Sequence, residues 1–238
     1  MRILVVQHHT AEHPGVFRDF MAEDGVDWDA VQVQEGEALP ALDAYDALWV
    51  MGGPQDVWQE DEHPWLVPEK RLIHEAVFER NLPFLGCCLG HQLLGEVAGG
   101  RCGAMDTAEV GVRDVALSGE GHDDRLLQGI ESQFKALQWH GAEVIEVPRE
   151  VAVLARSAAC AIEAIRVGDR AWGLQYHVEV TENTVGEWAA IPAYAEALEQ
   201  ALGANALPDL EAETRANIEA FNRDARTLYR NFMAIVGA

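Results

Sequence analysis

Two adjacent cysteines lie between two glycines in the stretch GCCLG, residues 86–90. The apolar run 82–87 predicts a buried strand before them, and residues 90–100 predict a helix after them. A strand, then Gly-x-Cys-x-Gly, then a helix is the pattern of a nucleophile elbow, whose central residue is forced into a strained conformation between small neighbours. We therefore predict that Cys88 is a nucleophile, with its thiolate stabilised by the following helix, and that Cys87 packs at the strand end. The alternative is a buried strand that carries two small apolar residues.

A thiolate nucleophile needs a base that is held by a third group. In the stretch QYHVE, His177 and Glu179 are two residues apart, so on an extended segment their side chains share one face. A carboxylate there can accept the imidazole N–H and support the imidazolium. A solvent-facing pair is the alternative for an isolated His-x-Glu, but together with the elbow the motif predicts a triad of Cys88, His177 and Glu179.

The other histidines offer weaker candidates. His8, His9 and His13 cluster after the first apolar run, but no carboxylate spacing completes a metal site around them. His91 follows the elbow on the predicted helix and is interpreted as a neighbour rather than the base. The four cysteines include no C-x-x-C pair, so we expect no zinc site, no disulfide framework and no metal.

The elements that must position these residues alternate between strand and helix over the first hundred residues. Strands are predicted over 2–7, 30–34, 46–53 and 82–87, and helices over 14–24, 67–80 and 90–100. This alternation predicts a mostly parallel sheet covered on both faces, with ligands bound at the carboxyl ends of its strands. The Gly52–Gly53 turn and the cysteine pair both fall at such ends.

The second half of the chain has a different pattern. Short strand candidates separated by turns run from about 109 to 180 and predict an antiparallel or mixed extension of the sheet. Apolar residues at helical spacing over 208–236 predict a long amphipathic helix. We expect one α/β domain over residues 1–190, with a C-terminal helical extension over 191–238 packed on the same domain.

Charge and hydropathy exclude some classes of function. The net charge of −23 disfavours binding to phosphate backbones, so no nucleic-acid partner is expected. No run approaches the roughly 18 apolar residues of a membrane helix, so no membrane partner is expected either. The first apolar run is too short for a signal peptide, and we expect a cytoplasmic protein.

Three segments together resemble the class I glutamine amidotransferases. They are PFLGCCLGHQ (83–92), QYHVE (175–179) and MGGPQDV (51–57), and the likeness spans most of residues 1–180. With FKALQWHG (134–141), they are most similar to stand-alone proteins related to the glutaminase domain of GMP synthase. The resemblance implies a flavodoxin-like fold and a Cys-His-Glu triad, in which Cys88 is the nucleophile, His177 the general base and then acid, and Glu179 the orienting carboxylate.

The resemblance also implies the supporting positions of the site. The oxyanion hole would be the backbone N–H groups of Gly53 and Leu89. Gln92 corresponds to a glutamine-contacting position after the elbow. The backbone of Trp139, His140 and Gly141 corresponds to the segment that holds the α-amino and α-carboxylate groups of the substrate.

The sequence departs from the family pattern at three positions. Cys87 replaces the usual Ile or Val before the nucleophile, and Val178 replaces the usual proline between histidine and glutamate. Ala142 stands where the family has the aspartate of His-Gly-Asp, which weakens the case for free glutamine as the substrate. A different γ-glutamyl compound could then present the amide that is attacked.

The resulting hypothesis is hydrolysis of a γ-glutamyl amide through a Cys88 thioester, with ammonia delivered to an unknown acceptor or to a docked synthetase partner. No cofactor is required for this reaction. One alternative is a γ-glutamyl peptide or γ-glutamyl amine hydrolase without ammonia transfer. The other is an amidotransferase subunit that is latent or regulatory without its partner.

Overall fold

The computed structural model describes all 238 residues and contains one nine-stranded sheet. Its strands are β1 (Arg2–Gln7), β2 (Asp27–Gln32), β3 (Ala47–Val50), β4 (Phe84–Cys87), β5 (Arg101–Leu117), β6 (Gln133–Glu146), β7 (Ala152–Arg156), β8 (Ala164–Val167) and β9 (Ala171–Leu174). Their order across the sheet is β2-β1-β3-β4-β9-β8-β7-β5-β6.

The sheet has a parallel half and an antiparallel half. Strands β2, β1, β3, β4 and β9 pair in parallel, and the remaining four pairings are antiparallel. The predicted α/β class and the antiparallel extension are confirmed. The expectation of a mostly parallel sheet is partly wrong, because β5 and β6 form one long hairpin and β7, β8 and β9 follow as a meander. The segments that join β6, β7, β8 and β9 are only three to seven residues long, shorter than the crossover of a dozen or more residues that parallel pairing requires.

Seven α-helices accompany the sheet. They are α1 (Phe17–Asp24), α2 (Leu66–His74), α3 (Leu89–Val97), α4 (Gly119–His122), α5 (Thr184–Ala189), α6 (Pro192–Leu202) and α7 (Leu207–Val236). The helix predicted over 14–24 begins only at Phe17, after Gly15 has taken a left-handed φ of 50°. The helix predicted over 67–80 ends as an α-helix at His74 and continues as a π-helix over Glu75–Glu79. Short 3-10 turns occupy Val33–Glu35 and Leu42–Ala44.

Both faces of the parallel half are buried, which explains the continuous apolar run of β1. Ile3 and Val5 pack in a cluster with α1 and α7, whereas Leu4 and Val6 pack on the other face with α2 and α3. Alternate residues of a strand point to opposite faces, so a strand covered on both sides must be apolar throughout.

The long C-terminal helix α7 covers the same core as α1. Phe232 packs edge-on against Trp49 of β3, with ring centroids 5.7 Å apart, and Leu228 and Tyr229 lie in the same apolar cluster. The amphipathic helix that the spacing predicts over 208–236 is therefore confirmed. None of the seven helices is long and apolar enough to cross a membrane.

Candidate active site

Cys88 occupies the single residue between β4 and α3, at a sharp turn. Its φ of 51° and ψ of −105° lie outside the ordinary regions for a residue with a side chain. Such a conformation costs about 1–3 kcal/mol and persists only where the surroundings enforce it. Here the Cys88 N–H donates to the Leu174 carbonyl at 2.8 Å, and the Gln92 N–H donates to the Cys88 carbonyl at 3.1 Å. The turn has the strained backbone that the sequence predicts.

The two glycines of the motif are required by close contacts between backbones. A Cβ atom at Gly86 would lie 2.4 Å from the carbonyl oxygen of Gly90. A Cβ atom at Gly90 would lie 2.0 Å from the carbonyl oxygen of Val50, at the end of β3. Helix α3 can therefore start directly over the strand ends only because both positions lack a side chain.

His177 and Glu179 form a buried hydrogen-bonded pair next to Cys88. The Nδ1 atom of His177 lies 2.6 Å from Oε1 of Glu179, and Oε2 of Glu179 accepts the Val178 N–H at 3.0 Å. The backbone of His177 is fixed to Leu137 of β6 by two hydrogen bonds, of 2.9 and 3.0 Å. The pair is thus anchored to the sheet, and His177 lies near enough to Cys88 to interact with it electrostatically.

The charges of this pair favour a proton on His177. Burial lowers the pKa of His177, but the charge of Glu179 and the hydrogen bond to it outweigh this effect and raise that pKa well above its usual value. Burial raises the pKa of Glu179, and the charge of His177 outweighs this effect and lowers it. Both shifts favour an imidazolium oriented by an ionised carboxylate.

Cys87 has a different environment from its neighbour. Its side chain packs in the apolar cluster beneath the sheet, and burial raises the pKa of its thiol well above the ordinary value. A thiol that stays protonated is a poor nucleophile. Cys87 is the packed neighbour that the sequence predicts.

The two predicted oxyanion groups come from the start of α3 and from the loop after β3. Leu89 is the first residue of α3, so its N–H has no intrahelical partner. The N–H of Gly53, in the loop after β3, also has no hydrogen-bond partner within the protein. Both N–H groups are therefore available to an acyl oxygen.

A buried histidine that sequence reasoning did not assign holds the Gly53 loop. His8 Nδ1 lies 2.8 Å from the carbonyl oxygen of Gly52, and His8 Nε2 lies 2.9 Å from Oε1 of Glu69 on α2. A carbonyl only accepts, so Nδ1 carries a proton. Although burial lowers the pKa of His8, the charge of Glu69 raises it overall. Because the Gly52 carbonyl and the Gly53 N–H belong to one planar peptide, His8 sets the direction of that N–H.

The three N-terminal histidines do not share a site. His8 contacts Glu69, His9 Nδ1 accepts the N–H of Ala11, and His13 contacts Arg18. His8 directly follows β1, whose apolar residues are buried. This position is the sequence feature that could have distinguished His8 from His9 and His13 as a buried residue.

A cavity of about 160 Å³ opens beside Cys88. It brings together six of the predicted site residues, namely Gly53, Cys88, Gln92, Trp139, His140 and Gly141. Helix α6 contributes Ala193, Tyr194 and Ala197 to the wall. Asp56 provides the only carboxylate that lines the cavity, and burial raises its pKa.

Gln92 lies at the cavity, but its amide N–H groups are engaged by the wall. Nε2 donates to the Ala142 carbonyl and to Oε1 of Gln175, each at 3.0 Å. Both donors of the amide are then used, so only Oε1 of Gln92 remains for a substrate. Ala142 itself is buried and presents its carbonyl oxygen, which also lies 2.9 Å from His140 Nδ1.

A second buried carboxylate lies close to the triad. Tyr194 of α6 donates its hydroxyl to Oε1 of Glu12, and burial raises the pKa of Glu12. A Cβ atom at Gly52 would lie 2.5 Å from Oε2 of Glu12 and 3.5 Å from the Cβ atom of Cys88. Glu12 thus connects helix α6 to the loop beside Cys88, a contact between segments too distant in sequence to be predicted.

Comparison with known proteins matches residues 18–188 to the family described as glutamine amidotransferase class-I. YfeJ, a glutamine amidotransferase-like protein of Salmonella typhimurium, is 31% identical over 189 residues, which cover 78% of each chain. Gamma-glutamyl peptidase 3 of Arabidopsis thaliana is 28% identical over 181 residues, covering 72% of this chain and 70% of its own. A glutamine-hydrolyzing GMP synthase subunit of Sulfolobus acidocaldarius is 30% identical over 159 residues, covering 66% and 80% respectively.

A solved structure has the same fold over nearly the whole chain. A glutamine amidotransferase from Thermotoga maritima superimposes with a TM-score of 0.87 and 25% identity, covering 98% of this chain and 97% of its own. The likeness therefore extends beyond the family match, through α6 and α7.

Proposed function

Because the chain belongs to the class I glutamine amidotransferase family, we propose that it hydrolyses a γ-glutamyl amide bond through a thioester on Cys88. The observation that carries this proposal is the buried His177–Glu179 pair, hydrogen-bonded at 2.6 Å, beside Cys88 at its strained turn. A nucleophile, a proton carrier and an orienting carboxylate are the three groups that acyl transfer by cysteine needs.

In the first half of the reaction, the sulfur of Cys88 attacks the γ-carbonyl carbon and a tetrahedral oxyanion forms. The C–N bond then breaks, and His177 gives its proton to the leaving nitrogen. In the second half, His177 takes a proton from water, and the resulting hydroxide attacks the thioester. The C–S bond breaks, glutamate leaves, and the sulfur of Cys88 is released as the thiolate.

The oxyanion would be held by the N–H groups of Gly53 and Leu89, and His8 acts through the first of them. His8 and Glu69 fix the Gly52–Gly53 peptide before substrate arrives. Preorganised donors stabilise developing charge without a cost of reorganisation during the reaction, which is why such groups contribute strongly to rate. We therefore assign His8 as a positioning residue, not as a group that touches substrate.

The cavity supports a γ-glutamyl substrate whose ammonium group meets Asp56. The family aspartate at position 142 is absent, and Asp56 is the only carboxylate that lines the cavity. Its pKa is raised by burial alone, so a cation placed beside it would lower that pKa and stabilise its charged form. The backbone of Trp139, His140 and Gly141 would hold the carboxylate end of the same substrate.

The leaving group distinguishes the candidate reactions. Release of ammonia to an acceptor requires a synthetase partner, and one relative belongs to GMP synthase as a subunit. Ala142 and the likeness to gamma-glutamyl peptidase 3 favour the second candidate, hydrolysis of a γ-glutamyl peptide or γ-glutamyl amine without ammonia transfer. A chain that is latent alone and active with a partner protein is the third.

The walls of the cavity suggest where substrate selection arises. Helix α6 lies beyond the family match and presents Ala193, Tyr194 and Ala197 to the cavity. We propose that residues 1–190 carry the reaction and that the extension over 191–238 shapes the pocket for the leaving group.

The test is glutamate release from glutamine and from a panel of γ-glutamyl peptides and γ-glutamyl amines, each with wild type, Cys88→Ala and Cys87→Ala. We expect turnover of at least one substrate by wild type and by Cys87→Ala, and none by Cys88→Ala. Full activity of Cys88→Ala would contradict the proposal. The preferred substrate separates the first two candidates, and turnover that appears only when a synthetase is added identifies the third.

A further inference from the structure

Three ionisable side chains meet in the protein interior behind the cavity wall. They are Glu109 of β5, His140 of β6 and Glu163, the residue before β8. All three are buried, and one ligand atom from each lies within 4.8 Å of the others. The triad mechanism uses none of them as a proton carrier.

The ring of His140 is oriented so that one nitrogen faces the two carboxylates. Nδ1 lies 2.9 Å from the Ala142 carbonyl, which only accepts, so Nδ1 carries a proton, and in the neutral ring Nε2 carries the lone pair. Nε2 has no hydrogen-bond partner, and neither has Oε2 of Glu163. Two buried polar atoms of this cluster therefore lack a hydrogen-bond partner in the protein, which native interiors rarely tolerate.

The spacing of these atoms suits a metal ion better than a hydrogen bond. His140 Nε2 lies 3.5 Å from Oε2 of Glu109, longer than the usual N–H···O range. Ligands bound at about 2.0–2.2 Å in tetrahedral geometry lie about 3.4 Å from one another. The three atoms would have to draw together by at most about 1.4 Å to bind one ion at these bond lengths.

Each carboxylate also accepts a hydrogen bond from a neighbouring side chain, as metal-binding residues usually do. Ser157 donates its hydroxyl to Oε2 of Glu109 at 3.0 Å, and Gln138 Nε2 donates to Oε1 of Glu163 at 2.7 Å. No lysine or arginine pairs with either glutamate. Two buried carboxylates without a permanent cation are costly, and a divalent ion would neutralise both.

We propose that Glu109, His140 and Glu163 bind a divalent first-row transition-metal ion of the Zn²⁺ type. One imidazole and two carboxylates form a donor set that suits such an ion, whereas Mg²⁺ and Ca²⁺ prefer oxygen ligands alone. The ion joins β5, β6 and the start of β8, and it fixes the His140–Ala142 segment that walls the cavity. Its role is structural, and it takes no part in the chemistry at Cys88.

The experiment uses the full-length chain without an affinity tag and Zn²⁺ as the probe. Protein is produced in Zn²⁺-supplemented medium and passed through gel filtration in metal-free buffer, and metal is then counted by inductively coupled plasma mass spectrometry. We expect about one Zn²⁺ per chain in wild type and at least a tenfold lower content in Glu163→Gln. Glu146→Gln is the matched control, because Glu146 is an exposed glutamate on the same strand as His140. Cys88→Ser should also keep its Zn²⁺, which excludes binding at the triad.

A second measurement covers the case in which Glu163→Gln fails to fold. Wild type is unfolded with chelator, then refolded with or without Zn²⁺, and its thermal unfolding midpoint is measured. We expect a midpoint several degrees higher with Zn²⁺. A wild-type content near background, equal content in wild type and a folded Glu163→Gln, or equal midpoints with and without Zn²⁺ would overturn the proposal.

Discussion

His8 donates its Nδ1–H to the carbonyl oxygen of Gly52 across 2.8 Å, in a position with no exposure to solvent. The same peptide carries the N–H of Gly53, so a side chain at the end of β1 determines where the oxyanion donor that we propose points. Glu69 completes the arrangement from α2 by accepting from the other ring nitrogen. The Gly52–Gly53 peptide is thus oriented by a buried, hydrogen-bonded His8–Glu69 pair from two distant elements.

Replacing His8 should lower the rate more than it weakens substrate binding. We expect His8→Asn to reduce kcat by about 10²–10³-fold, the cost of misplacing one oxyanion donor, with KM changed less than about threefold. Steady-state kinetics on the preferred substrate measure both. His9→Asn is the control, since His9 contacts only the nearby N–H of Ala11. A change confined to KM, or to the unfolding temperature, would show that His8 has only a structural role.

Glu179→Gln should lower the pKa of His177, because it removes the negative charge that favours the imidazolium. Titration of the ring by NMR measures this directly, and we expect kcat to fall on the order of 10³-fold or more. In wild type, the folded-state pKa of His177 lies above its unfolded value. Its contribution to the free energy of unfolding is therefore complete below about pH 6.5 and is lost as the pH rises through the folded pKa. An unchanged His177 titration in Glu179→Gln would contradict the pairing.

Gly90→Ala should destabilise the protein severely, because its Cβ atom would lie 2.0 Å from the carbonyl oxygen of Val50. Backbone must move to relieve this contact, and we expect a loss of roughly 3 kcal/mol or more in the free energy of unfolding. Urea denaturation measures it. Gly119→Ala is the matched control, since nothing lies within 4 Å of its Cβ position and its free energy should change by less than about 1 kcal/mol. Equal effects of the two substitutions would mean that α3 does not start directly over β3.

Asp56→Asn should raise KM for the γ-glutamyl substrate about tenfold while leaving kcat nearly unchanged, because it removes a charge that binds the ground state and transition state equally. Asp61→Asn, in the same loop but exposed, should have no effect. A fall in kcat without a change in KM would indicate instead that Asp56 acts in the chemical step.

The sequence could predict those parts of the site that depend on local patterns. Gly86 and Gly90 flank Cys88 within five residues, and this spacing alone indicates a sharp turn. His177 and Glu179 are two residues apart, and this spacing indicates a pair of interacting side chains. The strand order and the antiparallel half of the sheet could be predicted only in outline. Hairpins and meanders differ from crossover units mainly in the segments that connect the strands, and less in the sequences of the strands themselves.

Other contacts could not be predicted, because they join segments far apart in the chain. His8 meets Glu69 across 61 residues, and Tyr194 meets Glu12 across 182. Each of these residues taken alone is an ordinary polar side chain. Their roles become apparent only because the fold buries them next to one another. The periodicity of the sequence does not reveal such contacts.

The most direct test of the mechanism is the detection of its covalent intermediate. Wild type mixed with the preferred γ-glutamyl substrate is quenched in acid within one turnover and analysed by intact mass and peptide mapping. We predict a γ-glutamyl adduct on Cys88, present in Cys87→Ala and absent from Cys88→Ala. An adduct on Cys87, or turnover by Cys88→Ala at the wild-type rate, would contradict the mechanism.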